Sequence, residues 1–354
     1  MSGRGAPGAG ASPPLPRAKT ATRLTPSEWG RYWQRPTVTT FQAHFPDNYD
    51  GEIADFWHGV FARLPAAARI VDLATGNGAL LLLARAHARE HGQRFDLTGV
   101  DLADIRPRDA LRGRLALFED LGAIRFVGRT PLERTGLPPA GFDAVISQYG
   151  FEYAPPDEAA AEAARLLAPG GTLALVIHHA ESALVRQAHA GLEQAHHALA
   201  SQHLLEHAGR MLRRLQRART PEARQALAAD PRAQAEREAL NAALRAVSAR
   251  AAAPDAGGGA GFADFLLRSL RELLERAATL RRAQIIEALG VIERECRDYQ
   301  RRMADLVDAA CDRQDIDALS AALDAAGLTG TGCAELHYRG ALMAWTLTAH
   351  RPPG

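Results

Sequence analysis

The chain has 354 residues, more than one hydrophobic core usually organises, so its length predicts one enlarged domain or two. Hydrophobic residues at 47% and charged residues at 23% are ordinary globular usage, which excludes wholesale disorder, a collagen-like chain and a membrane protein. A formal charge of +1 excludes a global attraction to phosphate.

Residues 1–22 are mainly Gly, Ala, Pro, Ser and Arg without periodicity, too poor in large apolar groups to offset ordering entropy, and are expected to form a disordered tail. They hold Lys19, the sole lysine among 42 basic residues. P-loop, kinase and pyridoxal chemistry, which need a placed lysine, are therefore excluded. Met1 to Gly10 has no apolar stretch like a signal-peptide core, and the longest apolar run, Ala79 to Ala84, is too short for a bilayer. The expectation is a cytoplasmic protein without membrane contact. Order is predicted to start at Thr25-Pro26-Ser27-Glu28, where threonine caps, proline suits the first turn and Glu28 bonds back. Two aromatic helices follow: one with Trp29, Tyr32 and Trp33, the other, after Pro46-Asp47-Asn48, with Ile53, Phe56, Trp57, Val60 and Phe61 at helical spacing.

From Arg69 short apolar runs alternate with helical segments, the pattern of a parallel sheet covered by helices, an α/β fold. The predicted strands are Ile70 to Asp72, Phe95 to Asp101, Ile124 to Val127, Phe142 to Ser147 and Thr172 to Ile177. A helix over Asp157 to Ala168 is expected to close at Pro169-Gly170-Gly171 in a left-handed glycine.

After His179 the chain turns to alanine, arginine, glutamate and leucine, and residues 181–314 read as a helical insertion between the fifth strand and the last sheet helix. Helix starts are legible at Thr220-Pro221-Glu222 and Asp230-Pro231, and Ala251 to Gly261 reads as a flexible connector. Ile292, Cys296, Tyr299, Met303, Leu306 and Ala310 share one stripe suited to helix packing. His189, His196, His203 and His207 would share a face if one helix ran through them. With Glu206 but no third close ligand they read as a solvated face, so no metal site is expected. Arg210, Arg213, Arg214 and Arg217 likewise read as a solvated basic stretch. A helix over Asp317 to Ala326, stopped by Gly327, returns the chain to the sheet in residues 315–354. Strands Cys333 to Tyr338 and Ala341 to Ala349, joined by Arg339-Gly340, imply an antiparallel hairpin. Cys296, Cys311 and Cys333 form no CxxC pair and read as reduced thiols.

Val71-Asp72-Leu73-Ala74-Thr75-Gly76-Asn77-Gly78 leaves a strand and enters a helix, so its glycines sit where backbone approaches a ligand. Asp101 ends the second strand, where a carboxylate can accept both hydroxyls of a ribose, which implies a nucleoside-containing cofactor. A dinucleotide dehydrogenase is disfavoured: its third loop glycine is missing, and Asp72 would repel a pyrophosphate. On these residues, with Leu166-Leu167-Ala168-Pro169-Gly170-Gly171 and the terminal hairpin, the chain resembles the class I S-adenosylmethionine-dependent methyltransferases over Ile53 to His179 and Asp317 to Ala349. Ala74 stands where that family has its first glycine.

The resemblance implies a doubly wound, Rossmann-like, seven-stranded sheet with an antiparallel C-terminal hairpin, and S-adenosylmethionine as cofactor. It implies a binding core over 69–180 and a lid over 23–68 in which His44, Tyr49 and Trp57 cover the cofactor, with core packing as the plain alternative. Cofactor contacts fall to Asp72, Ala74, Thr75, Gly76, Asn77, Gly78, Asp101, Leu102, Thr130 and Gln148. Glu152, His178, His179 and Tyr149, at the ends of the fourth and fifth strands, are the candidates for catalysis. Ser147 to Tyr153 lacks the Asn/Asp-Pro-Pro-Tyr segment of base amino methylases, and no Pro-Cys nucleophile is present. The expected acceptor is a small metabolite methylated on O, N or C, with the insertion as a cap or a homodimer surface. The alternatives are an RNA methyltransferase using the insertion's arginines and a SAM-binding interaction protein without turnover.

Overall fold

The computed structural model describes residues 23–42, 44–200, 203–252 and 260–354. The expected tail over 1–22 and residues 253–259 of the expected connector lie outside them.

The chain enters through α1 (Pro26–Trp33), where Thr25 accepts from the Glu28 amide and the Glu28 carboxylate accepts from the Thr25 amide at 2.8 Å. Helix α2 (Gly51–Phe61) buries Ile53, Trp57, Val60 and Phe61. The sheet is then laid down as β1 (Arg69–Leu73), α3 (Ala79–Glu90), β2 (Asp96–Val100), two short helices α4 (Pro107–Ala110) and α5 (Leu115–Leu121), β3 (Arg125–Val127), β4 (Phe142–Gln148), α6 (Pro156–Leu166) and β5 (Leu167–His178). Six helices follow: α7 (Ala183–Ala200), α8 (Leu204–Arg217), α9 (Pro221–Ala229), α10 (Pro231–Ala251), α11 (Ala260–Arg276) and α12 (Arg282–Ala309). The sheet is completed by α13 (Arg313–Ala325), β6 (Thr329–Tyr338) and β7 (Ala341–His350).

The seven strands lie in the order β3-β2-β1-β4-β5-β7-β6, with β7 antiparallel to both its neighbours. The fold is thus the expected Rossmann-like one. Strand order reverses between β1 and β4, which opens a crevice at their carboxyl ends, the usual ligand position in such sheets. Arg339 and Gly340 both take positive φ, 51° and 80°, the conformation a two-residue hairpin requires. Several boundaries differ from expectation, among them that of β6, which starts at Thr329 instead of Cys333. Helix α6 stops at Leu166 because Pro169 disfavours helical backbone at the residue before it, and the strand starts at Leu167 instead of Thr172. Gly170, at φ 78°, therefore sits inside the long β5 rather than closing a helix. Helix α13 begins at Arg313 instead of Asp317, because Asp312 accepts from the Asp315 amide at 3.0 Å and caps it.

The insertion leaves and rejoins the sheet at one point: Cys311 donates its amide to the His178 carbonyl at 2.8 Å and accepts from Ala180 at 2.9 Å. It has its own core, which includes Leu212, Leu240, Leu266, Leu270 and Cys296. The four histidines do not share one helix. His189 and His196 lie on α7 and His207 on α8, while His203, at φ 51°, is a non-helical cap. Arg210 and Arg214 are paired with Glu236 across α10 at 3.1 and 2.7 Å, which neutralises much of the basic stretch. No described helix is long and apolar enough to cross a membrane.

Candidate active site

The loop after β1 turns three times through left-handed backbone, with φ of 60° at Ala74, 53° at Gly76 and 85° at Gly78. The two glycines are required by what faces them. A Cβ on Gly76 would meet the Trp33 indole at 2.4 Å, and one on Gly78 would meet Phe126 at 2.9 Å. Asn77 turns away from the crevice and donates its side-chain amide to the carbonyls of Trp33 and Thr37 at 3.1 and 2.8 Å. The segment after α1 is thereby clamped on the loop.

Ala74 is the exception, a side chain in a conformation that costs about 1 kcal/mol for a residue other than glycine. Space for its methyl exists because residue 150 is glycine: a Cβ there would lie 2.4 Å from that of Ala74. Ala74→Gly is expected to raise the free energy of unfolding in urea by about 1 kcal/mol. Gly150→Ala is expected to lower it by about 2 kcal/mol, most of which returns when both changes are combined.

Two carboxylates face the cavity behind this loop. Asp101 accepts from the Gly76 and Ala103 amides, each at 2.8 Å, and each oxygen keeps a lone pair for a further donor. Asp72 accepts from the Thr75 hydroxyl at 2.7 Å. Burial pushes Asp72 up to about 8, against the opposing pull of the Thr75 hydrogen bond and with a further rise from the Asp101 charge. Burial also raises Asp101, to about 6, against the two amide bonds.

The cavity measures about 170 Å³, and Asp72, Ala74, Thr75, Asp101, Leu102 and Gln148 all line it. Gly76 and Gly78 instead shape the turn beside it, and Thr130 lies outside it, its hydroxyl donating to the Gly128 carbonyl at 3.0 Å. The neighbouring Arg129 turns outward to Asp104 at 2.7 Å, leaving Pro131, Leu132 and Glu133 as the wall on that side. Gln148 accepts from the Trp57 indole N–H at 2.5 Å, and its own Nε2 is buried with no partner. The donor set suits a ligand that combines vicinal hydroxyls with positive charge: two buried carboxylates with spare acceptor capacity and an orphaned amide donor. Among the lid candidates, Tyr49 lines the cavity, Trp57 holds Gln148 from behind, and His44 does neither.

A second cavity of about 620 Å³ opens between the sheet edge and helices α11 and α12. It shares Trp29, Thr40, Tyr149 and Tyr153 with the first, so the two meet across those side chains. His178 lines it. The His178 ring Nδ1 lies 2.6 Å from Glu152 Oε1, which also accepts the His178 amide at 2.9 Å. That carboxylate fixes the tautomer with the proton on Nδ1, leaving the buried and unpartnered Nε2 as an acceptor. Tyr149, at φ 57°, stacks on the imidazole at 4.3 Å with its hydroxyl buried and unpartnered. His179 is not brought to this place. It stacks on Trp345, accepts from the Glu181 amide and lines neither cavity, because successive residues of a strand point to opposite faces. Arg302, which also lines the larger cavity, was not singled out from the sequence. Its signal was its position three residues after Tyr299, an arginine set within an apolar helical stripe.

Residues 70–171 match the family model described as a methyltransferase domain. No curated protein matches the chain. Similar solved structures include the chain in complex with the Haloferax volcanii Trm112 methyltransferase activator, at 21% identity over 43% of this chain and 61% of that chain, with a TM-score of 0.32. The geranyl diphosphate C-methyltransferase of Streptomyces coelicolor is 16% identical over 44% of this chain and 66% of that one, at a TM-score of 0.33. A methyltransferase from Mesorhizobium loti is 24% identical over 37% and 57% of the two chains, at a TM-score of 0.27. Each match spans less than two thirds of the other chain.

Proposed function

Taking residues 70–171 as a class I, S-adenosylmethionine-dependent methyltransferase domain, we propose that the chain methylates a small molecule held in the 620 Å³ cavity under its helical insertion. The observation that carries this is the meeting of two unlike cavities at Tyr149 and Tyr153, one lined by carboxylates and the other by aromatic rings and His178. When bound, S-adenosylmethionine supplies an electrophilic methyl group whose departure leaves a neutral thioether. Asp101 holds the ribose hydroxyls, Asp72 balances the cofactor's positive charge, and Trp33 with the segment clamped by Asn77 excludes water. Residues 23–68 act as the lid and 181–314 as the cap of the acceptor pocket. His178 accepts the acceptor's proton at Nε2, and Glu152 positions the ring.

Calorimetric titration tests the cofactor assignment. S-adenosylmethionine is expected to bind the purified protein and NAD is not. Asp101→Ala is expected to weaken binding by about 100-fold, the loss of two hydrogen bonds to a charged acceptor. Absence of S-adenosylmethionine binding to a folded, cofactor-free sample would overturn the proposal.

A further inference from the structure

Three acidic residues along α12 are matched to arginines of the N-terminal segment. Glu295 pairs with Arg35, Asp298 takes the Arg31 guanidinium through two bonds of 2.8 and 3.0 Å, and Asp305 takes Arg23 at 3.2 Å and the Leu24 amide at 3.1 Å. Arg302 lies in the middle of that ladder and has no such match: its contacts with described residues are the rings of Tyr32 and Tyr299 and the longer-range charges of Asp298 and Arg35. Yet Arg302 is only 9% exposed. It stands against the Tyr32 ring at 4.9 Å and the Tyr299 ring at 6.0 Å, both of them walls of the larger cavity. Burial, with the nearby Arg35 charge, lowers it to about 10, against the opposing pull of Tyr32, Asp298 and Tyr299.

A guanidinium offers five donors in a planar fork, and here it lines the cavity without a bidentate partner, so an anion entering the cavity meets donors free to bind it. The other cavity walls say what surrounds that anion. Trp29, Phe41, Tyr153, Phe262 and Phe265 present flat apolar surface, and the one carboxylate among the lining residues, Glu295, is already committed to Arg35.

Resting on the methyltransferase reading above, we infer that the acceptor is a flat aromatic molecule bearing a carboxylate, which Arg302 binds as its counter-ion while the rings of the cavity cover its apolar body. The carboxylate fixes which end of the molecule lies on α12, and so which end faces the domain's cofactor side. Arg302 is thus a specificity residue; no reacting atom depends on it.

The experiment compares naphthoate with its neutral counterpart naphthamide, titrated into the full-length protein and followed by tryptophan fluorescence, which Trp29 in the cavity wall reports. Naphthoate is expected to bind about tenfold more tightly than naphthamide, the worth of a charge-assisted bond. Arg302→Met, which keeps the apolar stem, is expected to remove that preference and leave naphthamide affinity unchanged, and Arg302→Lys to retain part of it. Equal binding of the two probes to the wild type, no naphthoate binding, or a preference that survives in Arg302→Met would each overturn the inference. The wild-type comparison stands even if a variant fails to fold. S-adenosylmethionine titration of the same samples is separate: its failure would remove the methyltransferase reading, whereas intact cofactor binding without anion preference would remove only this inference.

Discussion

His178→Asn is expected to lower kcat by about 10³-fold and to leave S-adenosylmethionine affinity within about twofold. Displacement at a sulfonium needs no acid, because the leaving thioether is neutral, but a neutral hydroxyl or amine acceptor must lose a proton as its bond to carbon forms. Within the larger cavity the Nε2 of His178 is a nitrogen without a partner, and the Glu152 carboxylate 2.6 Å from Nδ1 keeps its lone pair available. Asparagine can still donate to Glu152 but carries no basic nitrogen, so the variant isolates the proton transfer from the packing. Glu152→Gln should act through the ring: the amide can donate to Nδ1 and favour the tautomer with its proton on Nε2, which lowers kcat without abolishing cofactor binding. Initial rates with methyl-labelled S-adenosylmethionine and hydroxynaphthoate as acceptor measure both. Unchanged S-adenosylmethionine affinity in both variants separates loss of the proton transfer from structural damage. A kcat within about threefold of the wild type would assign the proton to water and leave His178 as the surface on which Tyr149 stacks.

What the sequence made legible was local. Thr25 and Glu28 cap α1 as their spacing required, and Arg339-Gly340 forms the hairpin turn. Asp72 and Asp101, placed at strand ends by hydrophobic alternation alone, do line one cavity. Contacts between distant segments left no such trace. Nothing in the local pattern places Trp33 over Gly76, or brings Arg31 to Asp298 across 267 residues of chain, because the first contact depends on how the N-terminal helix packs on the sheet and the second on how the insertion folds back. The histidine spacing misled for a related reason: periodicity says which residues share a face only while one helix persists, and His203, at φ 51°, is not helical. That the insertion's helices close a pocket with the sheet left no local trace either.

The free energy of unfolding of the ligand-free protein is expected to fall as pH rises from 4 to 8, and Asp72→Asn to remove the larger share of that fall. Asp72 titrates at about 8 in the folded chain, from burial first and the Asp101 charge second, and near 3.8 when exposed. Across that window the folded state holds a proton that the unfolded state has released, so raising the pH favours unfolding. The contribution is fully present below about 4, is lost as pH climbs through about 8, and changes no further above it. Asp101, raised to about 6, acts in the same direction over the lower half of the window. Between pH 6 and 8 Asp72 alone accounts for about 2 kcal/mol, or about 3 °C in Tm, by which the wild type and Asp72→Asn should diverge in thermal melts. Cofactor affinity should run the opposite way. A ligand carrying sulfonium and ammonium charge binds the ionised carboxylate, so the dissociation constant for S-adenosylmethionine should tighten by more than tenfold from pH 6 to 8 in the wild type and stay nearly level in Asp72→Asn. The two slopes are one fact seen twice: a carboxylate kept dry and uncompensated in the empty protein is unstable for the reason that it is prepared for a cation. If stability is level with pH while affinity rises, the charge that meets the cofactor is on another residue, and Asp72 only anchors Thr75 and the loop that follows it.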